Sequence, residues 1–296
     1  MSATLEKALR YLGDRARNTE IAFFGGSFTA IDREYMVSLL ESARQFLPGF
    51  YGIRVSTRPD AVDRDILSLL KEYGVTAIEL GAQSMDDSVL KANRRGHTAR
   101  DVETASGLIK DFGFSLGLQM MTGLYGADVS SDLFTAERFV ALKPDTVRVY
   151  PTVVMKGTEL AELYLSGAYK PYSLETSVKL CAELILLFEK AGIALIRLGL
   201  HDSESLRQNS LGHQYHPAFK ELCENRIFYD SFLCQAAGIS SKNLRVTVHP
   251  KSLSKFLGQK KQNLRRFEQM GFAVSVQLDE RLGKYELGVC NATEIT

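Results

Sequence analysis

Glycines, amides, hydroxyls and an arginine directly follow several apolar segments of this 296-residue sequence. The segment IAFF (21–24) runs into Gly25, Gly26 and Ser27, where the bare backbone would let a ligand touch the chain. The carbonyl groups there could accept hydrogen bonds from an ammonium group, or the following amides could hold an anion at a helix start. A tight turn without a ligand is the third interpretation, and the residue types alone leave all three open.

Two more segment ends carry groups that could bind a ligand. Arg58 follows an apolar segment, where it could bind a carboxylate through two nitrogen atoms or form an ion pair with Asp60 or Glu79. Gln83 and Ser84 supply an amide and a hydroxyl, which suit the hydroxyls of a ribose or the cap of the helix that follows.

The sequence does not indicate a metal site or a common nucleophile. His213 and His216 have HxxH spacing, but no third ligand accompanies them. No Walker loop, G-x-S-x-G or HExxH motif is present. No cysteine lies within three residues of another, which excludes a CxxC-type hairpin and predicts reduced thiols. The cysteines are Cys181, Cys223, Cys234 and Cys290.

The elements that must position these groups alternate along the chain. Amphipathic helical segments separate apolar segments rich in β-branched and aromatic residues, and two of the helical segments end at Gly74 and Gly192. This pattern predicts a parallel α/β fold with the carboxyl ends of all strands on one side. The predicted strands are IAFF (21–24), GIRVST (52–57), TAIELG (76–81), SLGLQMM (115–121), TVRVY (146–150) and ALIRLGL (194–200).

An open doubly wound sheet and a curved, barrel-like sheet both fit this alternation. Nearly every predicted strand ends in a glycine, amide, hydroxyl or arginine, which favours a barrel, because barrel enzymes build their sites from those ends. A doubly wound sheet would concentrate such residues at one switch point. The chain opens with a helical pattern at Leu5, Ala8, Leu9 and Leu12, and no strand precedes it.

Composition places the chain among ordinary soluble proteins. The hydrophobic fraction is 45%, the charged fraction is 24% and the net charge is +1, so affinity for a nucleic acid would have to come from a local patch. No apolar run approaches the ~18 residues of a spanning helix, and residues 1–18 do not resemble a signal peptide. These features predict a cytoplasmic protein without a membrane segment, and they do not indicate its oligomeric state.

The composition changes beyond residue 205, and we predict three regions: 1–205, a polar and helical connection at 206–241, and a small α+β domain at 242–296. Residues 251–270 hold six basic side chains against one acid, Glu268. This excess fits either a solvated helix face or a nucleic-acid contact.

Taken together, the strand ends resemble radical S-adenosylmethionine (radical SAM) enzymes, in the group near the Elongator catalytic subunit and the oxygen-independent coproporphyrinogen oxidases. The resemblance covers roughly residues 5–230 and implies a partial (β/α)6 barrel that begins at the family's second strand. The motifs that carry it are FFGGSFT (23–29), STRPD (56–60), ELGAQSMDDSVL (79–90), RRGHT (94–98), GLQMMTGLYG (117–126), VRVYPT (147–152), KGTEL (156–160) and HPAF (216–219).

The resemblance also implies a SAM site at the strand ends. The backbone at Gly25, Gly26 and Ser27 matches the motif that receives the SAM ammonium group, and Gln83 and Ser84 match the ribose motif. A further set matches the strand that borders adenine or would line the same cavity. Its members are Gln119, Met121, Gly123, Arg58, Tyr150 and Arg197.

Two departures from the family accompany this resemblance. The family's Gly-Leu-Pro-Gly stands here as GLYG (123–126), without the proline. The family also binds a [4Fe–4S] cluster on a Cys-x3-Cys-x2-Cys loop after its first strand, and this sequence has no such loop. We therefore expect an N-terminally incomplete chain whose own residues do not ligate the cluster.

The last region resembles the β-α-turn-α-β core of a KH-like RNA-binding fold. Its turn contains Gly258, Lys260 and Lys261, so a lysine replaces the second glycine of the GXXG loop. The resemblance implies RNA contacts through 251–266, with Arg265 beside the turn.

Three hypotheses follow from the sequence. The first is a radical SAM protein that modifies a tRNA base or a small molecule and lacks the cluster loop in this form. The second is a non-catalytic SAM- or RNA-binding remnant. The third is a barrel enzyme that binds a phosphorylated ligand at the glycine pair.

Overall fold

The computed structural model describes residues 1–212 and 215–292. Its strands are β1 (Glu20–Phe23), β2 (Gly52–Thr57), β3 (Val75–Gln83), β4 (Ser115–Thr122), β5 (Thr146–Pro151), β6 (Val154–Met155), β7 (Ala194–Leu198), β8 (Ser210–Leu211), β9 (Asn243–Val248), β10 (Ala273–Leu278) and β11 (Leu287–Asn291). Its α-helices are α1 (Ser2–Leu12), α2 (Arg33–Arg44), α3 (Arg64–Glu72), α4 (Asp87–Ala92), α5 (Ala99–Asp111), α6 (Val129–Leu142), α7 (Glu159–Leu165), α8 (Leu174–Lys190), α9 (Glu204–Asn209), α10 (Phe219–Ala236), α11 (Leu253–Leu257) and α12 (Gln262–Gln269). Short 3-10 turns lie at Gly13–Asn18, Phe28–Ala30, Leu47–Gly49, Pro59–Ala61, Pro250–Ser252 and Gln259–Lys261.

The chain divides into two compact units. The first contains Met1–Thr152, Leu163–Pro171 and Phe188–Leu198, and the second contains Val153–Glu162, Tyr172–Leu187 and the chain from Gly199 onward. The predicted boundaries at 205 and 241 stay a prediction, because both fall within the second unit.

The first unit is built on a curled sheet of six strands in the order β1-β2-β3-β4-β5-β7. Every neighbouring pair in it is parallel. The strand order follows the chain order without a reversal, whereas a doubly wound sheet would reverse at a switch point. The predicted barrel-type α/β fold is therefore confirmed, and all six predicted strands are present.

The two faces of this sheet differ in polarity because side chains alternate along each strand. One face is apolar and fully buried, and it packs under the helices. The other face, which lines the inside of the curl, carries polar and charged residues. The apolar face includes Ile53, Val55, Ile78, Leu80, Leu116, Leu118, Val147 and Val149.

Capping residues fix where the helices after each strand begin. Asp32, Asp63, Asp86, Thr98 and Asp128 each accept a hydrogen bond from a backbone N–H in the first turn of helices α2 to α6. Such caps contribute about 1 kcal/mol each to helix stability. The caps therefore set the length of each loop at the carboxyl ends of the strands.

The second unit contains a three-stranded sheet in the order β10-β9-β11. Strand β10 runs parallel to β9, and β11 runs antiparallel to it. The predicted order of strand, two short helices and two strands is confirmed for this region. Its core is aromatic, with Phe228, Phe232, Phe256 and Phe267 almost fully buried.

Across residues 1–212 and 215–292, no helix is both long and apolar enough to cross a membrane.

Candidate functional site

A buried carboxylate occupies the middle of the polar face of the first unit. Glu79 Oε1 and Oε2 accept hydrogen bonds from Arg148 Nη2 and Nε at 3.0 and 2.6 Å, and Oε1 also lies 3.2 Å from Arg54 Nη1. Arg54 Nε in turn donates to Glu20 Oε2 at 2.6 Å. One ion-pair network, Glu20–Arg54–Glu79–Arg148, thus joins β1, β2, β3 and β5 and passes over β4.

The register of the strands positions this ion-pair network. Gly117 lies beside Glu79 on β4, and a Cβ atom at Gly117 would lie 2.7 Å from Glu79 Cγ. The Arg148 guanidinium also lies 4.9 Å from the ring centre of Phe24. Burial lowers the pKa of Arg148, but hydrogen bonding and charge attraction to Glu79, with a contribution from Tyr150, leave that pKa raised above its ordinary value.

Two glutamine side chains meet on the same face, closer to the strand ends. Gln119 Nε2 donates to Gln83 Oε1 at 3.5 Å, so the two predicted amides are brought together. Gln83 is buried and has a φ of 68°, a left-handed conformation that costs a non-glycine residue free energy. Its side chain lies close to Gly81, where an added Cβ would approach Gln83 Nε2 to 2.7 Å. Strain of this kind is concentrated at ligand sites in proteins.

Met121, Tyr150 and Arg197 continue this polar face across the next strands. Met121 pairs with Tyr150 in the register of β4 and β5. Arg197 is the register partner of Arg148 on β7, at a local irregularity of the pairing. All three side chains are half-buried, so they line the inside of the curled sheet without being sealed in it.

The glycine pair after β1 has a backbone that only glycine adopts readily. Gly25 and Gly26 have φ values of 104° and 129°. No heavy atom lies within 4 Å of a Cβ built at either position. The need for glycine here comes from backbone conformation and not from crowding, and the neighbouring space is open to a ligand.

The groups at the ends of β3 and β4 are partly engaged within the protein. The Ser84 hydroxyl lies 3.3 Å from Thr135 Oγ1 and accepts from the Asp86 N–H at 3.1 Å, while Asp86 itself caps α4. The Gly123 N–H donates to Asp132 Oδ2 at 2.8 Å, and the Gly123 carbonyl accepts from Tyr169 Oη at 2.6 Å.

The loop Gly123–Gly126 is tied down although it lacks the family's proline. Asn93 Nδ2 donates to the Tyr125 carbonyl at 2.7 Å, and the Tyr125 ring packs edge-on to Tyr169 at 6.1 Å. Burial, with a smaller contribution from Asp132, raises the pKa of Tyr169 to about 12, so its hydroxyl remains a donor. Side-chain contacts thus supply the restraint that a proline would give.

Arg58 lies after β2 and forms a two-point ion pair with Asp60. The distances are 2.5 Å from Nε to Oδ1 and 2.7 Å from Nη2 to Oδ2. Of the alternatives that the sequence left open, the Asp60 pair is the one present, and Glu79 pairs instead with Arg54 and Arg148. Sequence reasoning missed that network. The sequence feature that could have revealed the network is one charged residue within each of three largely apolar strands: Arg54 on β2, Glu79 on β3 and Arg148 on β5.

In the second unit, the turn after α11 has an unusual backbone. Gly258 has a φ of 76°, and Lys260 and Lys261 follow at 51° and 60°. Asn263 is buried and holds the turn by donating to the Phe256 carbonyl at 3.0 Å. The side chains of Lys260, Lys261 and Arg265 are exposed.

The cysteines do not form a metal site in the part of the chain that the structure describes. Cys181 and Cys223 are buried, Cys234 is exposed and Cys290 is intermediate. Burial, followed by a hydrogen bond with Cys181, raises the pKa of Cys223, which keeps that thiol protonated. No group of three or more His, Cys, Asp or Glu side chains within the described residues could hold a metal ion, and His213 of the HxxH pair lies outside them.

Comparison with protein families gives two matches. The family model described as the radical SAM superfamily matches residues 2–132, and the one described as the radical SAM C-terminal domain matches residues 144–228.

The proteins similar to this chain include two curated relatives and one solved structure. Elongator complex protein 3 of Homo sapiens is 32% identical over 201 residues, which is 60% of this chain and 37% of that protein. The tRNA uridine(34) acetyltransferase of Methanocaldococcus jannaschii is 30% identical over 197 residues, 58% of this chain and 36% of that protein. The archaeal Methanocaldococcus infernus Elp3 with an N-terminus deletion (1-46) has a TM-score of 0.64 at 23% identity, covering 76% of this chain and 57% of that one, and shows a shared fold. The chain therefore spans little more than a third of the length of these curated relatives.

Proposed function

This chain belongs to the radical SAM superfamily, in the group that includes Elongator complex protein 3, and we propose that the polar face of its curled sheet binds SAM. The observation that carries the proposal is the contact between Gln83 and Gln119 at the strand ends, with Gln83 held in a strained backbone. Strain and paired amides without a structural need for them support a ligand role.

Different groups of the site would bind different parts of SAM. The open backbone at Gly25 and Gly26 would accept hydrogen bonds from the ammonium group of the ligand. The amides of Gln83 and Gln119 would donate to and accept from ribose and adenine, because an amide offers both kinds of group. Met121 and Tyr150 would provide half-buried contact area next to them.

The network Glu20–Arg54–Glu79–Arg148 would act beneath this site by positioning. It fixes the relative register of β1, β2, β3 and β5. The residues proposed to bind SAM lie on these strands, directly after them, or on β4, which runs between β3 and β5. The described residues do not fit a [4Fe–4S] cluster, because they contain no group of three or more His, Cys, Asp or Glu side chains that could hold a metal ion. Members of the family use such a cluster to cleave SAM reductively.

We further propose that the protein takes part in modifying a tRNA. The support is the relationship to the tRNA uridine(34) acetyltransferase, which is named for this kind of substrate. A tRNA substrate also agrees with the basic turn of the second unit.

SAM should raise the midpoint of thermal unfolding of the full chain, and Gln119→Ala should weaken SAM binding about fivefold. The reason is that the loss of one hydrogen-bonding group, here the partly buried Gln119 amide, costs on the order of 1 kcal/mol. Ligand-observed NMR titration measures this affinity. Gln45→Ala, which removes an exposed amide at the end of α2, is the matched control and should bind SAM normally. The proposed site would be wrong if the wild-type protein showed no SAM binding, or if both variants lost the same amount of SAM affinity.

RNA is proposed as the ligand of the turn in the second unit. Two consecutive lysines in left-handed conformations follow Gly258, and such conformations are rare for lysine without a functional reason. Lys255 and Arg266 of the same basic segment are engaged, with Glu224 at 3.1 Å and over the Tyr229 ring. The exposed Lys260 and Lys261 would therefore make the phosphate contacts.

Replacing Lys260 and Lys261 with glutamine should lower the affinity of the full chain for single-stranded RNA several-fold. The slope of log affinity against log salt should fall by about one per lysine, because each phosphate contact releases counterions. Fluorescence anisotropy at several salt concentrations measures both quantities. The control is Lys179→Gln with Lys220→Gln, two exposed lysines of the same unit. If the control variant loses as much RNA affinity as the turn variant, the basic turn is only a solvated surface.

A further inference from the structure

A basic cavity lies in the loop between α4 and α5 of the first unit. Its volume is about 520 Å³. The loop is fixed to the sheet because His97, which is buried, donates from Nε2 to the Ala82 carbonyl at 2.9 Å. The cavity therefore lies next to the end of β3, where Gln83 follows Ala82. Its lining residues are Asp87, Lys91, Arg94, Arg95, Gly96, His97 and Thr98.

Positive charge dominates this cavity. Lys91, Arg94 and Arg95 line it, and Asp87 is the acid among the lining residues. The carboxylate of Asp87 is already engaged, because its Oδ1 accepts from the Ala99 N–H at 2.7 Å. The cavity thus presents more cationic than anionic groups to a ligand.

A third arginine, Arg58 from the end of β2, approaches the same loop. A Cβ atom at Gly96 would lie only 2.1 Å from Arg58 Nη2, so the absence of a side chain at Gly96 makes room for this guanidinium. Partial desolvation within the loop, and then the positive charge of Arg58, lower the pKa of Arg95 from its ordinary value, although much of its side-chain surface is exposed to solvent. Asp60 already neutralises part of the Arg58 charge through its two-point ion pair, and an anion bound in the cavity would relieve the remaining repulsion between Arg58 and Arg95.

We propose that this cavity binds a phosphate group of a polynucleotide substrate at the rim of the barrel. The inference rests on the proposed tRNA substrate and adds a contact that fixes the substrate backbone beside the strand ends. The cationic residues Lys91, Arg94 and Arg95 are exposed, as suits a strand that passes over a surface. A small phosphorylated molecule would be expected in a more enclosed pocket.

The test compares two double variants of the full chain. Lys91→Gln with Arg95→Gln removes two charges from the cavity, and Lys7→Gln with Arg33→Gln removes two exposed charges elsewhere in the same unit. We expect the cavity variant to bind a single-stranded RNA about tenfold more weakly at low salt, with a salt slope reduced by about two. The control variant should stay within about twofold of the wild type.

A conservative pair shows whether the loss comes from charge or from misfolding. Lys91→Arg with Arg95→Lys keeps both charges and should retain RNA binding. Equal losses in the cavity and control variants, or no loss in the cavity variant, would overturn the proposal. If inorganic phosphate binding is lost while RNA affinity is unchanged, the cavity belongs to a small phosphorylated molecule and the proposal is also wrong.

The outcome is independent of SAM binding. The cavity variant should bind SAM as the wild type does, because Gln83 and Gln119 are unchanged. A wild-type chain that binds RNA through this cavity but does not bind SAM would disprove the SAM site alone. A chain that binds SAM but shows no RNA loss would disprove the cavity alone.

Discussion

Glu79→Gln is expected to lower the free energy of unfolding by about 3 kcal/mol, because it leaves two largely buried arginines without their shared carboxylate. The Glu79 side chain is 3% exposed, and those of Arg54 and Arg148 are 14% and 17% exposed. Arg54 keeps Glu20 as a partner and Arg148 keeps the Phe24 ring, which places the expected loss near the lower end for a broken buried pair. Urea denaturation followed by circular dichroism measures it.

Two further variants separate the charge effect from the loss of packing. Glu20→Gln breaks a pair that is 18% exposed on the Glu20 side and should cost clearly less than Glu79→Gln. Glu79→Leu combined with Arg148→Met removes both charges and should recover part of the stability, since an apolar pair carries no desolvation penalty. A Glu79→Gln variant as stable as the wild type would mean that the network contributes nothing to the fold.

Anaerobic reconstitution with iron and sulfide is expected to leave this 296-residue chain without a stoichiometric [4Fe–4S] cluster. A cluster needs several thiolates close together. Cys181 and Cys223 are buried in the second unit, the pKa of Cys223 is raised by burial, and Cys290 lies on β11. None of the four cysteines lies on a strand of the curled sheet, where the proposed SAM site is.

Iron and sulfide assays, together with an assay for 5′-deoxyadenosine, test this expectation. The result should be background iron and no dithionite-dependent 5′-deoxyadenosine. About four irons per chain, the content of one [4Fe–4S] cluster, with reductive SAM cleavage would show that the cysteines had been misjudged. A Cys181→Ser and Cys223→Ser double variant would then show whether the buried pair supplies the ligands.

The sheet was predictable because its strands are short runs rich in apolar and β-branched residues that alternate with amphipathic helices. The six runs in the sequence correspond to the six strands of the curled sheet, although one face of that sheet carries polar side chains. The barrel-type order followed from polar groups at nearly every strand end. Helix ends were also predictable where glycine stops them, as at Gly74 and Gly192, whose φ values are 79° and 70°.

The contacts of the site were less predictable, because they depend on register. From the sequence, Glu79 could have formed an ion pair with any of several arginines. The register of β3 against β2 brings Arg54 to it, and the registers of β3 with β4 and of β4 with β5 bring Arg148 to it. The meeting of Gln83 and Gln119 likewise follows from a local irregularity at the end of β3. The basic cavity escaped sequence reasoning because its cations come from a loop whose path is set by His97.

The agreement between strand order and chain order has a consequence for biosynthesis. Strands β1 to β5 add to the growing sheet in the order in which the ribosome releases them, so each new strand finds its partner already present and none must be inserted between two others. Strand β7 is the exception, because residues 152–193 emerge before it can pair with β5. Until then the edge of β5 stays open in the nascent chain, where a chaperone or another chain can pair with it.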